Sequence, residues 1–218
     1  MFGTLVRVVN QPPAFARDIA TGDYYEQRAD EYDEWYLGEG HFAARDRPGW
    51  HEEVGHIVRL VDDLPAGRTL DAACGSGFLT RHLHGLVVGI DQSPAMVSLT
   101  QSRLANGVAM VGDALSLPFA DTAFDRVLTG HFYGHLPDDE RAAFLSEASR
   151  VASELIVIDS AMRPGVAAEQ WQTRVLNDRS EHRIFKRYLT GSQLSEELNG
   201  AEILFDGSWF IVARTTWA

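Results

Sequence analysis

Residues 69–92 read TLDAACGSGFLTRHLHGLVVGIDQ, and this stretch predicts the fold. Its pattern is an apolar strand, a glycine turn, a short helix, a second apolar strand and a terminal acid, which is typical of the opening βαβ unit of a nucleotide-binding α/β domain. Gly75 and Gly77 allow a sharp turn and a close approach of ligand to main chain. Asp91 lies about 20 residues after Asp71, where an acid can accept hydrogen bonds from ribose hydroxyls. The stretch therefore predicts a nucleoside site.

The sixth position of the glycine loop indicates which nucleoside is bound. A dinucleotide-binding loop has the pattern G-x-G-x-x-G, whose third glycine packs helix against strand and leaves the helix N-terminus open to pyrophosphate. This chain has Thr80 at that position. Asp71 also disfavours a diphosphate, because a carboxylate there would repel it and would attract an amino group instead.

With Asp71, Gly75, Gly77 and Asp91 at these spacings, the stretch resembles the cofactor site of class I S-adenosylmethionine-dependent methyltransferases. In that family the first acid and the glycine loop hold the methionine part of the cofactor, and the second acid holds the ribose. Ala73 stands where the family often has a further glycine. The resemblance is strong over residues 70–160 and extends loosely to the small-molecule methyltransferases of ubiquinone and menaquinone biosynthesis. It implies S-adenosylmethionine as cofactor and S-adenosylhomocysteine as product.

A third acid follows the third predicted strand, in the run Gly112, Asp113, Ala114 and Leu115. Asp113 matches the family's third recognition acid, which accepts a hydrogen bond from the adenine amine. Acids after three successive strands are a specific signal, because open α/β sheets bind ligands at the carboxyl ends of their strands. The family geometry also implies cofactor contacts at Gln92 and at Met96, although an unbranched methionine is equally a common core residue.

Residues 22–49 are rich in aromatic side chains. Tyr25, Tyr32 and Tyr36 recur at helix-compatible spacing, so one interpretation is a helix whose aromatic stripe packs on the domain. The other is a lid over the cofactor, since aromatic faces attract a sulfonium cation. The resemblance favours the lid and implies that Tyr24 and Tyr32 contact the cofactor, because methyltransferases of this layout often begin with similar tyrosine pairs.

The loop after the fourth predicted strand, residues 130–137, contains the candidate catalytic residues. Displacement at a methyl carbon on positive sulfur needs in-line approach, and a base where the nucleophile carries a proton. His131 is the better-placed base because a neutral imidazole is available near pH 7, with His135 as a second candidate. The alternative is that His131 contacts the cofactor through its backbone and His135 packs locally. We expect no metal, because the segment lacks the Glu of a zinc-binding H-E-x-x-H.

Residues 163–188 form a locally basic segment in an acidic chain. One interpretation is a solvated insertion with a strand near residues 183–188. The other is a wall of the acceptor pocket, where cations would hold a carboxylate or phenolate. On that second interpretation we predict that the acceptor is bound by Tyr36, Tyr133, Trp171, Arg174 and Lys186.

The amino-acid composition of the chain limits the classes of molecule that it can bind. The chain has 218 residues, 45% of them hydrophobic, with 19 basic and 31 acidic residues and a formal net charge of -12. Such a surface repels nucleic acid and anionic membranes, so we expect a small-molecule acceptor, no nucleic acid and no membrane partner. The single cysteine, Cys74, and the lack of a signal-peptide pattern favour a cytoplasmic protein, as a monomer or homodimer.

Together these patterns predict an α/β fold: a Rossmann-like, seven-stranded, mostly parallel sheet with a C-terminal antiparallel hairpin, helices on both faces and an N-terminal helical lid. Residues 1–21 are expected to form an arm with a short strand at 5–9, and residues 22–218 one domain, with the lid at 22–64 capped by Asp23 and Glu26. The predicted function is methyl transfer to an O, N or C nucleophile. The alternatives are an S-adenosylmethionine-binding protein with a non-methylating role, such as a cyclase, and an NAD-dependent oxidoreductase.

Overall fold

The computed structural model describes residues 15–217, so the strand predicted at residues 5–9 lies outside the described residues. The helices of this part of the chain are α1 Ile19–Arg28, α2 Glu34–Leu37, α3 Trp50–Asp62, α4 Pro94–Arg103, α5 Asp138–Val151 and α6 Gly191–Glu197. The strands are β1 Gly67–Ala72, β2 Gly85–Asp91, β3 Gly107–Val111, β4 Arg126–Gly130, β5 Glu154–Ser160, β6 Glu169–Val175, β7 Glu181–Arg187, β8 Glu202–Asp206 and β9 Phe210–Thr216.

Seven strands form one sheet in the order β3-β2-β1-β4-β5-β9-β8. Strands β1 to β5 are parallel, whereas β9 runs antiparallel to both β5 and β8. This arrangement confirms the predicted fold, including its C-terminal antiparallel hairpin. The strand order reverses between β1 and β4, and an open α/β sheet binds ligands at the carboxyl ends of its strands at such a point.

The central strands are buried on both faces, which explains their almost continuous apolar sequence. Leu128 on β4 and Ile156 on β5 pack toward α3, where they join a core that contains Ile57. Val127 and Leu155 face the opposite side and join a core that includes Phe144 of α5. Helices therefore cover both faces of the sheet, as predicted.

The segment between β5 and α6 folds as a separate two-stranded antiparallel sheet of β6 and β7. The strand predicted at residues 183–188 is one half of this hairpin. An isolated bridge between Ala161 and Leu189 connects its base to the end of β5. The hairpin stands beside the carboxyl ends of the parallel strands, where it forms one wall of a cavity described below.

The first described helix begins earlier than predicted. Asp18, not Asp23, is its N-cap and accepts a hydrogen bond from the Thr21 backbone N–H at 2.9 Å. The predicted capping pair of Asp23 and Glu26 is therefore wrong, and the expected boundary between arm and lid at residues 21 and 22 falls inside α1. Glu26 instead accepts a hydrogen bond from the hydroxyl of Ser93, the N-cap of α4, at 2.6 Å.

The short helix predicted after the glycine loop is a single 3₁₀ turn at Thr80–His82. Only twelve residues, 73–84, separate β1 from β2, and the glycine loop occupies the first of them. The residues that remain are too few for an α-helix of ordinary length. A very short α-helix is also unfavourable, because its few hydrogen bonds do not offset the cost of forming the first turn.

Glu53 of α3 fixes the turn between β8 and β9. Its carboxylate accepts hydrogen bonds from the backbone N–H groups of Ser208, Trp209 and Phe210, at 2.8, 2.9 and 3.2 Å. One side chain thus satisfies three main-chain donors at the turn that closes the antiparallel hairpin.

Replacing Glu53 by Ala should lower the free energy of unfolding by about 1–3 kcal/mol, because three N–H groups lose their acceptor. The neighbouring Glu52→Ala is the control, since Glu52 is exposed and its loss should change stability by less than ~0.5 kcal/mol. Urea unfolding at constant m-value measures both. Equal losses in the two variants would contradict the assigned role.

Candidate active site

A cavity lies at the carboxyl ends of the parallel strands, beside the point where the strand order reverses. We call it the cofactor cavity. It brings together eight of the residues that the sequence predicted to contact a cofactor, namely Tyr32, Ala73, Gly75, Asp91, Gln92, Gly112, Ala114 and His131. These residues follow four different strands or belong to the N-terminal helical region, so their convergence depends on the sheet topology.

Asp91 connects the glycine loop to the end of β2. Its carboxylate accepts hydrogen bonds from the backbone N–H of Gly75 at 2.9 Å and of Ser93 at 3.0 Å. Each oxygen keeps a free lone pair for a ligand hydroxyl, because an ionised carboxylate has about four acceptor sites. A side chain at Gly75 would project toward the ring of Tyr32, which lies 3.6 Å from that position. The loop and Tyr32 therefore border the part of the cavity in which the Asp91 carboxylate faces a ligand.

Ala73 and Gly75 both have left-handed backbone angles, with φ of 58° and 56°. Glycine adopts this conformation without strain, whereas a residue with a Cβ does so at a cost. Ala73 adopts the left-handed conformation despite this cost, so the loop keeps its turn although alanine replaces the glycine of the family pattern.

Asp71 lies beneath the loop and is buried. Thr80 donates a hydrogen bond from its hydroxyl to the Asp71 carboxylate at 2.6 Å. Burial raises the pKa of Asp71 to about 7, and the negative charge of Asp91 acts in the same direction. Asp71 lines a small pocket that shares Tyr32, Ala73 and Gly130 with the cofactor cavity. Thr80, which occupies the position of the third glycine in a dinucleotide-binding loop, thus holds the Asp71 side chain in place.

Five other predicted cofactor residues lie outside the lining of this cavity, namely Tyr24, Gly77, Met96, Asp113 and Leu115. Gly77 packs against α4 instead, since a Cβ there would lie 2.8 Å from the hydroxyl oxygen of Thr100. The Asp113 carboxylate accepts a hydrogen bond from the Leu115 N–H at 2.8 Å, which shapes the loop after β3. Tyr24 and Met96 are buried and pack in the interior.

The cover over the cofactor cavity begins earlier in the chain than the lid predicted at residues 22–64, and sequence reasoning missed its first residues, 15–21. We call residues 15–25 the covering segment; Phe15, Ala16 and Tyr25 line the cavity. Buried Glu140 accepts a hydrogen bond from the Ala16 N–H at 2.8 Å, and Gln92 donates to the Ala16 carbonyl oxygen at 2.7 Å. No periodic pattern in the sequence indicated these contacts. The covered cavity measures about 60 Å³, well below the roughly 300–1,000 Å³ of ordinary ligand pockets, so the segment encloses the site tightly.

His131 stands where the cofactor cavity meets a second, larger cavity. Its φ of 57° turns the chain sharply after β4, and its backbone N–H donates to the Ile158 carbonyl at 2.8 Å. The ring packs edge-on against Trp35 at 4.6 Å, and within residues 15–217 neither ring nitrogen has a hydrogen-bond partner. Burial lowers the pKa of His131 to about 3, an effect that Lys186 reinforces.

His135 is also buried but is held by protein contacts. Its Nδ1 lies 2.5 Å from the carbonyl oxygen of Phe185 on β7, so this nitrogen carries the proton and donates it. The ring stacks on Phe15 at 4.5 Å. Burial lowers the pKa of His135 well below its usual range, and the charge of Lys186 adds to the shift.

The larger cavity, which we call the acceptor cavity, has a volume of about 400 Å³ and lies between the β6–β7 hairpin and the N-terminal helical region. Three of the five residues predicted to bind an acceptor line it, namely Trp171, Arg174 and Lys186. The other two predicted acceptor contacts lie elsewhere. Tyr36 stacks on Phe78 at 4.0 Å beside Asp71, and the Tyr133 hydroxyl donates to Glu197 at 2.9 Å.

Neither a metal site nor a membrane span is evident among the described residues. Residues 15–217 contain no group of three or more His, Cys, Asp or Glu placed to hold a metal ion. Within the same range, no helix has both the length and the apolar character that crossing a bilayer requires.

The raised pKa of Asp71 predicts a pH-dependent stability. Folded protein keeps this carboxyl protonated up to about pH 7, whereas an unfolded chain releases the proton near pH 4, so stability falls as the pH rises between these values. The Asp71→Asn variant has no carboxyl group to titrate at this position, so its stability does not fall for this reason as the pH rises. Relative to wild type, its free energy of unfolding should rise by roughly 2–3 kcal/mol from pH 5 to pH 7 in ligand-free protein.

The matched control for that experiment is Asp63→Asn, because Asp63 is exposed at the end of α3. Its stability relative to wild type should stay constant over the same pH range. Parallel curves for wild type and Asp71→Asn would show that Asp71 is ionised throughout.

Comparison with known proteins identifies a methyltransferase domain in this chain. A methyltransferase domain family matches residues 70–154. A demethylmenaquinone methyltransferase of Thermotoga maritima is 33% identical over 100 residues, which cover 44% of this chain and 43% of that protein. A demethylmenaquinone methyltransferase of Bacillus cereus strain AH187 is 26% identical over 181 residues, or 77% of this chain and 69% of that protein.

Solved structures share the fold. A complex of DhpI with SAH superposes with a TM-score of 0.71 at 24% identity, covering 89% of this chain and 94% of that one. A magnesium protoporphyrin IX methyltransferase from Synechocystis PCC 6803 with bound SAH gives a TM-score of 0.60 at 20% identity, covering 90% and 98%. The match identifies residues 70–154 as a methyltransferase domain, and the seven-stranded topology with its glycine loop between Asp71 and Asp91 is the fold of class I S-adenosylmethionine-dependent methyltransferases.

Proposed function

We propose that the protein transfers a methyl group from S-adenosylmethionine to a small molecule bound in the acceptor cavity, by direct displacement without a metal. One observation carries the proposal: the cofactor cavity and the acceptor cavity share Tyr25, Tyr32 and His131 as common lining. In-line displacement needs the methyl group and the nucleophile on opposite sides of one opening, at close range. Two adjoining cavities provide such an opening.

The residues of the cofactor cavity have distinct parts in this proposal. Asp91 accepts hydrogen bonds from the ribose, and the loop at Gly75 lets the main chain approach the ligand. Asp71 lies on the side assigned to the methionine group, and Gly112 lines the side assigned to the adenine. The cofactor itself supplies an electrophilic methyl group on positive sulfur.

The two alternative functions are less well supported. An NAD-dependent oxidoreductase needs a pyrophosphate site, but Thr80 occupies the position of the third glycine and bonds to Asp71. A protein that only binds the cofactor does not need a second cavity that adjoins the first. A cyclase would need one, and intact cofactor binding without a methylated product would identify it.

Asp91→Ala should weaken binding of S-adenosylmethionine by about 1–3 kcal/mol, because the ribose loses an acceptor and the loop loses its anchor at Gly75. Calorimetric titration with S-adenosylmethionine, S-adenosylhomocysteine and NAD measures the effect, and we expect no binding of NAD. Asp121→Ala, at an exposed ion pair with Arg150, is the control and should bind the cofactor like wild type. Unchanged affinity in Asp91→Ala would refute the ribose assignment.

For His131 we propose a positioning role at the opening between the cavities. Its pKa of about 3 makes it a weak base that stays neutral from pH 6 to 8. His131→Ala should therefore reduce turnover roughly 10-fold or more, by loosening the opening, while the shape of the pH profile stays the same. His84→Ala, an exposed site, should leave turnover unchanged.

The measurement for this prediction is the rate of S-adenosylhomocysteine release with an acceptor that wild type methylates, from pH 6 to 8. A rising limb near pH 6.5 that is present in wild type and lost in His131→Ala would identify His131 as the base instead.

A further inference from the structure

The wall of the acceptor cavity carries an excess of positive charge. Five arginines line it, from four separate segments of the chain: Arg28, Arg45, Arg47, Arg163 and Arg174. Within residues 15–217 none of the five forms an ion pair with a carboxylate, and residues 1–14 contain no Asp or Glu. Lys186 also lines the cavity, but Asp159 neutralises it from behind. The chain has 31 acidic residues, yet none lines this cavity.

Aromatic rings hold several of these guanidinium groups in place. Arg47 lies over Trp50 at 3.8 Å, and Arg163 lies over Trp209 at 4.5 Å. Arg28 lies 4.6 Å from the ring of Tyr32, which lines both cavities. Such contacts fix the position of a cation without cancelling its charge. The positive wall is therefore pre-arranged and begins at the opening to the cofactor.

The arginines also lower one another's pKa, because their like charges repel. Partial burial lowers the pKa of Arg45, and the charge of Arg174 adds to this effect. Partial burial lowers the pKa of Arg47 to about 10, with Arg45 contributing. The Nε of Arg174 is buried and has no acceptor among the described residues. A ligand with several anionic oxygens would relieve the repulsion and accept this hydrogen bond.

On the basis of the proposed function, we infer that the acceptor carries a phosphate or phosphonate group and that the enzyme methylates an anionic oxygen of that group. A carboxylate brings one negative charge against five unpaired cations, whereas a phosphoryl dianion brings two charges and three acceptor oxygens. Planar guanidinium groups bind such oxygens in pairs of parallel hydrogen bonds.

This acceptor also needs no base. Among the described residues no carboxylate lines the cavity, and burial lowers the pKa of both histidines that do, His131 and His135, so each is a weak base for a protonated nucleophile. An anionic oxygen forms the O–CH₃ bond while the S–CH₃ bond breaks, and the electron pair of that bond stays on sulfur. The products are neutral S-adenosylhomocysteine and a methyl ester with one negative charge fewer. No proton moves.

The first test measures binding to the complex of the protein with S-adenosylhomocysteine at pH 8, where phenyl phosphate is a dianion because its second pKa is about 6. Phenyl phosphate should bind at least ~10-fold more tightly than benzoate. Arg45→Gln and Arg174→Gln should each weaken phenyl phosphate about 10-fold while leaving the affinity for S-adenosylhomocysteine unchanged. The matched control is Arg179→Gln, at an exposed position on the turn of the same hairpin.

The inference is overturned if benzoate binds as tightly as phenyl phosphate, or if both cavity variants bind phenyl phosphate like the control. Because affinity for S-adenosylhomocysteine is measured in the same proteins, these outcomes leave the cofactor assignment and the proposed methyl transfer intact. Loss of S-adenosylhomocysteine binding by wild type would instead remove the proposed function.

The second test uses S-adenosylmethionine with phenyl phosphate and follows the methyl ester by phosphorus NMR, together with release of S-adenosylhomocysteine. Wild type and Arg179→Gln should form the ester, and Arg174→Gln should form it at least ~10-fold more slowly. Tight binding without ester formation would overturn the assignment of the nucleophile. Methylation of phenol but not of phenyl phosphate would overturn the anionic acceptor while supporting methyl transfer itself.

Discussion

The buried ion pair of Lys186 and Asp159 holds the two halves of the site together. Lys186 of β7 lies 2.5 Å from the Asp159 carboxylate at the end of β5, and both side chains are almost wholly inaccessible. The same carboxylate accepts a hydrogen bond from the Gly134 N–H at 2.6 Å, which fixes the loop that follows His131. Breaking a buried pair by removing one partner leaves an uncompensated charge, so hairpin, sheet and loop depend on one another. Together with the bridge between Ala161 and Leu189 and the bond from His135 to Phe185, this contact fixes the wall of the acceptor cavity.

The pair also divides the site electrostatically. Burial alone would raise the pKa of Asp159, but the positive charge of Lys186 holds it below its usual range, so the carboxylate stays charged behind the cavity wall. The cofactor side holds the acids Asp71 and Asp91, of which Asp71 becomes charged above about pH 7, and the acceptor side holds arginines. In the proposed reaction a cationic sulfonium and an anionic acceptor approach from opposite sides. Each then meets the charge that attracts it, which orients both reactants across one opening.

The fold and half of the cofactor site follow from local patterns. Apolar runs identify the parallel strands, and an acid directly after a strand lies at the ligand-binding edge whatever the rest of the chain does, so Asp91 and the glycine loop were predictable. Residues that meet only through tertiary packing were not. The bond from Thr80 to Asp71, the contacts of Ala16 and the convergence of five arginines join positions far apart in sequence. The wrong helix cap has a similar cause: Asp18 and Asp23 both suit an N-cap, and tertiary packing selects between them.

Helix α1 links the two cavities physically. The covering segment closes the cofactor cavity through Phe15, Ala16 and Tyr25, and the same helix places Arg28 in the acceptor cavity. The segment is tied to the domain at Gln92 and Glu140, and its Phe15 ring stacks on His135 beside the hairpin. A displacement of α1 that admits the cofactor therefore also moves one cation of the acceptor wall. In the structure the covering segment is closed, and the acceptor wall that includes Arg28 is complete in the same arrangement of α1.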